Sequence, residues 1–187
     1  MERSSILVIS DTHGNVPALT AVLGWARDAG FAAAMFLGDG TDDLPVASAH
    51  AGFTVPWYKV RGNLDQSFSV QDSLTVEIPA GQPDAPSVRT FFLAHGNRYG
   101  VEKGGETIAA AAKAAGAEAA LFGHTHVPYS AFVDGIFLLN PGSLGRSRVN
   151  AGPTFAVVEC PSGGPLSAGF YCLVSKGKQF EVRKAEL

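Results

Sequence analysis

Ile6-Leu7-Val8-Ile9 runs directly into Ser10-Asp11-Thr12-His13-Gly14. The four apolar residues, three of them β-branched, read as a buried strand. The chain leaves that strand on an aspartate and a histidine. The same arrangement returns four times. Ala33–Leu37 ends at Gly38-Asp39, and Val55–Val60 leads to Arg61-Gly62-Asn63. Val88–Leu93 leads to Ala94-His95-Gly96, and Ala119–Phe122 leads to Gly123-His124-Thr125-His126. In an open α/β sheet, ligands bind outside the carboxyl ends of the strands. Five such ends place three carboxylate or amide side chains and four imidazoles on one rim.

The segments between these strands are consistent with that arrangement. Asn15 is a candidate helix cap, Pro17 suits a first turn, and Leu19, Val22, Leu23 and Ala26 repeat at helical spacing over Ala18–Ala29 before Gly30. Thr41–His50 reads as a short helix. This alternation of strand and helix argues for parallel βαβ units in the first third. Ser73–Ile78 and Val88–Leu93 read as an antiparallel hairpin, joined by the Pro/Gly-rich loop Pro79–Pro86. Gly105–Ala115 is an Ala-rich helix ended by Gly116. The rest is β-rich: Tyr129–Val133, Ile136–Leu139, Thr154–Glu159, Leu166–Val174 and Gln179–Arg183, with Asp134-Gly135 as a hairpin turn. No repeat or long linker divides the 187 residues, so the expectation is one domain over 1–187, an α/β sandwich of two packed sheets with helices outside.

Composition narrows the function. Lys and Arg total 14 against 17 Asp and Glu, a net charge of −3, which is no electrostatic footprint for long nucleic acids. No apolar run reaches the ~18 residues of a membrane span. The short apolar run near the start is no signal-peptide core. Cys160 and Cys172 lack metal-ligand spacing and read as buried free thiols in late strands. These features lead us to expect a cytoplasmic protein.

The strand-end residues carry the chemistry. Asp11 and His13 lie two apart, as do His124 and His126, and in an extended segment such pairs project to one side. A single histidine after a strand is ordinarily a turn residue, and Gly-Asp or Gly-Asn is common loop punctuation. Five such segments together form a site. Imidazole with carboxylate and amide oxygen suits Mn²⁺, Fe²⁺ or Zn²⁺, and the lack of cysteine ligands argues against structural zinc. Seven donors exceed one ion's needs, whereas two ions sharing Asp39 would use them. Paired ions sit ~3.5–4 Å apart and act on phosphoryl groups or peptides. Two dications against Asp11 and Asp39 would leave a positive local field that draws a phosphate ester despite the negative net charge. His50, at a helix end, is read as a dipole partner with no part in the site.

Asp11-x-His13, Gly38-Asp39, Gly62-Asn63, His95-Gly96 and Gly123-His124-Thr125-His126 resemble, in order and spacing over residues 6–126, the motif series of the calcineurin-like metallophosphoesterases. Asn140-Pro141-Gly142-Ser143 is similar to the ending found in the small YfcE-like phosphodiesterase branch. The resemblance implies a four-layer αββα sandwich of two mixed β-sheets flanked by helices. It implies one ion on Asp11, His13, Asp39 and His126 and another on Asp39, Asn63, His95 and His124. A bridging hydroxide would be the nucleophile, making Asp39, Asn63 and His95 the catalytic core. Mn²⁺ is the expected metal, with Fe²⁺, Zn²⁺ or Ni²⁺ as alternatives. The expected activity is hydrolysis of small phosphodiesters. A phosphomonoesterase or nucleotide hydrolase is one alternative. A non-catalytic scaffold, like the retromer subunit of this fold with degraded ligands, is another; here all seven positions carry competent donors.

One position departs from the family pattern. Many members place a histidine after the asparagine, and this chain has Leu64, which cannot protonate a leaving group. Asn63 and Arg61 are candidate substrate contacts, and Asp65 is a candidate either for orienting a ligand or for capping a turn. The Asn140–Ser143 segment reads from its residues as a turn, and the resemblance implies a phosphate-side loop near the metals, with Arg146 or Arg148 as an anion contact. Partners implied are a small phosphate ester and, through the late β-rich edge, a second copy of the chain; long nucleic acids and membranes are not expected.

Overall fold

The computed structural model describes residues 4–80, 87–177 and 179–186. The expected loop 79–86 therefore lies largely outside the described residues. Strands β1 (Ser4–Ile9), β2 (Ala33–Phe36) and β3 (Trp57–Lys59) run parallel, with helices α1 (Val16–Ala26) and α2 (Asp43–Ala51) as crossovers. Hairpin β4 (Ser73–Pro79) and β5 (Val88–Ala94) opens a second sheet. Helix α3 (Glu106–Ala114) leads to β6 (Ala119–Leu121), which lies parallel to β5, and then hairpin β7 (Tyr129–Val133) and β8 (Ile136–Asn140) follows. The chain then returns to the first sheet as β9 (Thr154–Cys160), β10 (Ser167–Lys176) and β11 (Gln179–Lys184). The sheet orders are β11-β10-β9-β1-β2-β3 and β4-β5-β6-β8-β7, and both are mixed.

Continuous apolar strands follow from burial on both faces. On β1, Ile6 and Val8 point between the sheets, where they join Met35, Leu37, Phe91, Leu93, Leu121 and Leu139. Leu7 and Ile9 point outward, against Leu19, Val22 and Leu23 of α1 and Leu44 of α2. On the second sheet, Phe92, Ile136 and Leu138 pack outward against Ile108 and Ala112 of α3. Three apolar clusters thus separate four layers, αββα, as the resemblance implied. Cys160 and Cys172 are buried free thiols in β9 and β10, and burial pushes the Cys160 thiol up to about 12. No helix among the described residues is long and apolar enough to cross a membrane.

Two of the element ends that differ from the expectation have a visible cause. Helix α1 stops at Ala26, three residues short of Ala29, because the chain tightens there: the Ala29 N–H donates to the Ala26 carbonyl, and Gly30 follows at φ 74°. Strand β3 begins at Trp57 because Pro56 has no N–H for the ladder; its carbonyl still accepts from Ala34.

Candidate metal centre

All five candidate ligand loops follow strands β1, β2, β3, β5 and β6, three in one sheet and two in the other. Backbone bonds tie them together. The Asp11 N–H donates to the Gly38 carbonyl (2.9 Å), His13 to Asp39 (3.1 Å) and Gly123 to His95 (2.9 Å). The approach is close because it is made over glycine. A Cβ on Gly38 would collide with the backbone nitrogen of Gly62 and lie 2.9 Å from His95 Nδ1; one on Gly62 would collide with the nitrogen and Oδ1 of Asp39.

Asp11 sits at the middle. Its Oδ2 accepts from Ser10 Oγ (2.5 Å) and from the His124 N–H (3.1 Å). Its Oδ1 is buried without a hydrogen-bond partner among the described residues, yet it faces His126 Nε2 at 3.1 Å, His13 Nε2 at 3.6 Å and His95 Nε2 at 4.0 Å. Asp39 Oδ2 lies 3.5 Å from the same His95 nitrogen. Potential ligand atoms of Asp11, His13 and His126 lie within 4.8 Å of one another, and so do those of Asp11, Asp39 and His95. Asp11 belongs to both groups. His124 stands next to the second group, its ring edge-on to His95 with centroids 5.2 Å apart. Asn63 is exposed and lines the cavity beside His95.

These residues fit divalent ions. His95 Nδ1 pairs with the Leu37 carbonyl (2.7 Å) and His126 Nδ1 with the Arg146 carbonyl (3.0 Å). A ring that donates from Nδ1 turns the Nε2 lone pair toward the carboxylates, which is the arrangement of a metal-binding histidine. His13 Nε2 and His126 Nε2 face each other at 3.1 Å, a contact that a shared cation relieves. The electrostatics agree. Burial disfavours a charged His95, but Asp39 and Asp11 outweigh it and lift that imidazole above its usual value. Burial acts on Asp39 in the opposite sense, and its contacts with His95 overcome it to hold the carboxyl low. Positive charge is favoured between them, whether proton or metal. Burial, helped by neighbouring positive groups (His126 and Arg146 beside His13, His95 beside His124), outweighs the nearby carboxylates and lowers His13 and His124.

The expected extended geometry at Asp11–His13 and His124–His126 is not what the chain adopts. Asp11 (φ 55°), His13 (47°), Asp39 (57°), His124 (69°) and His126 (60°) all occupy the left-handed region. Five of the six described non-glycine residues with positive φ are candidate ligands; the sixth, Asp134, sits in the β7–β8 turn. Such backbone costs L-residues about 1–2 kcal/mol each, and strained residues cluster at functional sites. Side chains two apart converge here through a left-handed kink and not through a pleat.

Several supports were only partly legible. Asp65 accepts four backbone N–H groups, from Asp39 (2.9 Å), Gly40 (2.8 Å), Thr41 (3.0 Å) and Gly62 (2.9 Å). It fastens the Asp39 loop to the Asn63 loop. Asp43 accepts from Thr12 Oγ1 (2.5 Å) and the Gly14 N–H (3.0 Å). The Asn140–Ser143 segment is more than a turn. Asn140 Nδ2 donates to the Gly123 carbonyl (2.6 Å), and Ser143 Oγ donates to the Asp11 carbonyl (2.8 Å), so it holds both histidine pairs from behind. Ser10, Asn140 and Ser143 were findable only as polar residues bordering ligand motifs. Arg146 and Arg148 are exposed. Arg61 spends Nε and Nη2 on Asp72 Oδ1 (2.9 and 2.6 Å). Leu64 is 56% exposed, and its N–H donates to Asp39 Oδ1 (2.8 Å). His50 lies in the last turn of α2, outside the site.

The sequence model of the calcineurin-like phosphoesterase superfamily domain matches residues 5–163. The chain belongs to the calcineurin-like phosphoesterase superfamily. Membership in this superfamily implies a phosphate-ester hydrolase that works with divalent metal ions, and the two donor groups around Asp11 are where this member could hold them. A probable metallophosphoesterase of Bacillus subtilis, YsnB, is 26% identical over 154 residues, spanning 82% of this chain and 83% of its own. Solved structures share the superfamily fold. A predicted phosphoesterase from Streptococcus pneumoniae superposes with TM-score 0.73 at 21% identity over 99% of both chains. Vps29 of Entamoeba histolytica, in complex with zinc, gives TM-score 0.66 at 20% identity over 97% of this chain and 98% of that one. YfcE, an Escherichia coli phosphoesterase, gives 0.59 at 20% identity over 83% and 90%.

Proposed function

We propose that this superfamily member is a binuclear, metal-dependent phosphodiesterase acting on small phosphodiesters, with Mn²⁺ as its working metal. The observation that carries the reading is the buried Asp11 Oδ1, without a hydrogen bond and ringed by three imidazole nitrogens. Asp11, His13, Asp39 and His126 hold one ion, and Asp39, Asn63, His95 and His124 the other. Two such ions supply Lewis acidity, lowering the pKa of water and neutralising phosphoryl oxygens. The chain's own part is positioning. The Leu37 carbonyl keeps the His95 ring in one orientation, and Asp65 keeps Asp39 and Asn63 at a fixed separation. Asn63, exposed beside the cavity, has an amide group to offer a phosphate oxygen. Leu64 offers no proton, so groups that leave without one are preferred, aryl oxides among them.

The test is hydrolysis of bis-p-nitrophenyl phosphate against p-nitrophenyl phosphate, on chelator-stripped protein with Mn²⁺ restored, beside Asp39→Asn and His124→Ala. Diester turnover that needs Mn²⁺ and disappears in both variants is the expected result. Preference for the monoester would make the protein a phosphatase. Two bound ions with no turnover under any divalent metal would make it a scaffold.

A further inference from the structure

Two cavities flank the candidate centre. The smaller, about 280 Å³, is bordered by His13, Asp39 and Leu64. The larger, about 550 Å³, is bordered by Asn63 and His95 and falls within the range of small-ligand sites. A phosphodiester has two substituents to place, and the larger cavity has walls with a definite chemistry. Arg61 and Arg98 both reach Asp72: Arg61 through Oδ1, and Arg98 Nη1 through Oδ2 at 2.9 Å. Two guanidinium groups share one carboxylate, so the trio carries one net positive charge. The Arg61 side chain is 16% exposed and held in place, whereas that of Arg98 is 65% exposed with most of its N–H groups turned to solvent. Phe68 stands on the same wall, 89% exposed, with the Arg61 guanidinium 4.9 Å from its ring centre. An aromatic ring so exposed, braced by a cation, is a stacking platform.

We infer that this cavity is a leaving-group subsite, selecting phosphodiesters whose departing half is a flat aromatic ring that bears its own anionic group. The inference rests on the phosphodiesterase reading above. The ring lies on Phe68, and the anion meets Arg98 and Arg61. Water adds to phosphorus and releases a proton to solvent, the bond from phosphorus to the aryl oxygen breaks, and that oxygen leaves with the electron pair as an aryl oxide. A departing group stable as an anion needs no proton donor, and the positive trio favours it further.

The experiment compares two methyl aryl phosphodiesters, one losing 4-nitrophenol and the other 3-carboxy-4-nitrophenol. The readout is the ratio of their kcat/KM values, in which general losses of activity cancel. The wild type favours the carboxylated diester by about fivefold to tenfold, the scale of one charge-assisted contact, and the preference shrinks with added salt. Arg98→Met brings the ratio near unity. Asp72→Asn, which removes the carboxylate shared by both guanidinium groups, raises it. Phe68→Ala weakens both substrates by about tenfold. A ratio unmoved by both Arg98→Met and Asp72→Asn overturns the subsite. Binding of the two diesters to metal-free protein, followed by saturation-transfer NMR, separates the two readings. Arg98-dependent binding without hydrolysis would leave the subsite standing and remove the phosphodiesterase. Hydrolysis and binding without Arg98 dependence would do the reverse.

Discussion

Asp65 shows how much of a site can depend on one side chain that binds nothing itself. Its carboxylate is the acceptor for four N–H groups on two ligand loops. Asp65→Asn keeps the shape but turns an N–H₂ toward those donors, so urea denaturation reports a loss of about 2–3 kcal/mol and weaker metal binding. The pH dependence has a definite sign. Burial pushes this carboxyl upward, but the four donors outweigh it and hold it below its ordinary value. The folded pKa is then the lower one, so the stabilisation is complete above the unfolded value of about 4. It fades as pH falls through the folded pKa. In metal-free protein the wild type therefore loses stability below about pH 4 more steeply than Asp65→Asn. At Leu64 the expectation concerns rate. Leu64→His supplies a general acid and raises turnover of diesters with alkoxide leaving groups by as much as about 10²-fold, with little gain for aryl ones. Equal gains across a series of rising leaving-group pKa would refute it.

At the scale of elements, the strands were legible and the loops after them were not. β2, β6 and most of β1 are apolar and buried on both faces, and β5 ends in a buried apolar run, so the presence and end of these strands are written in runs of hydrophobic residues; β3, Trp57-Tyr58-Lys59, is only partly buried. Which residues end them is equally plain, and the seven candidate donors are read from there. Their conformation was hidden because nothing local forces Asp11 or His126 into left-handed backbone. Bonds between distant loops do so, such as His13 N–H to the Asp39 carbonyl and Arg148 N–H to the His126 carbonyl. The part played by Asn140 and Ser143 was hidden for the same reason: their partners, Gly123 and Asp11, are 17 and 132 residues away. The short 3₁₀ turn Asn97–Tyr99 has no periodicity to betray it. The glycines before Asp39 and Asn63 read in the sequence as loop punctuation; in the fold they let backbone approach backbone. Gly62→Ala therefore acts on the contact between two loops, displacing Asp39. It costs about 1–3 kcal/mol by overpacking and reduces metal stoichiometry, read by thermal denaturation and by metal analysis of dialysed protein.

The whole molecule places the candidate centre across the seam between its two sheets, with Asp11, His13, Asp39 and Asn63 from one and His95, His124 and His126 from the other. Ions held there bind the folded state alone, since the unfolded chain scatters these residues. At free metal about 100-fold above Kd, each site adds about 2.7 kcal/mol. For a chain of this length each site is worth roughly 5–10 °C in Tm, lost again on chelation, and Asp11→Asn removes one site's share of the shift. Topology adds a consequence for synthesis. Every candidate ligand lies between residues 11 and 126, but β1, which carries Asp11 and His13, pairs on one side with β9 at Thr154–Cys160, and Ser143 and Arg146 brace the ligand loops from beyond them. A nascent chain leaving the ribosome therefore exposes the whole donor set well before the strand and loop that anchor it have been made. Possessing the candidate ligands and being able to hold a metal are separate events in the life of this polypeptide, divided by the synthesis of residues 127–160.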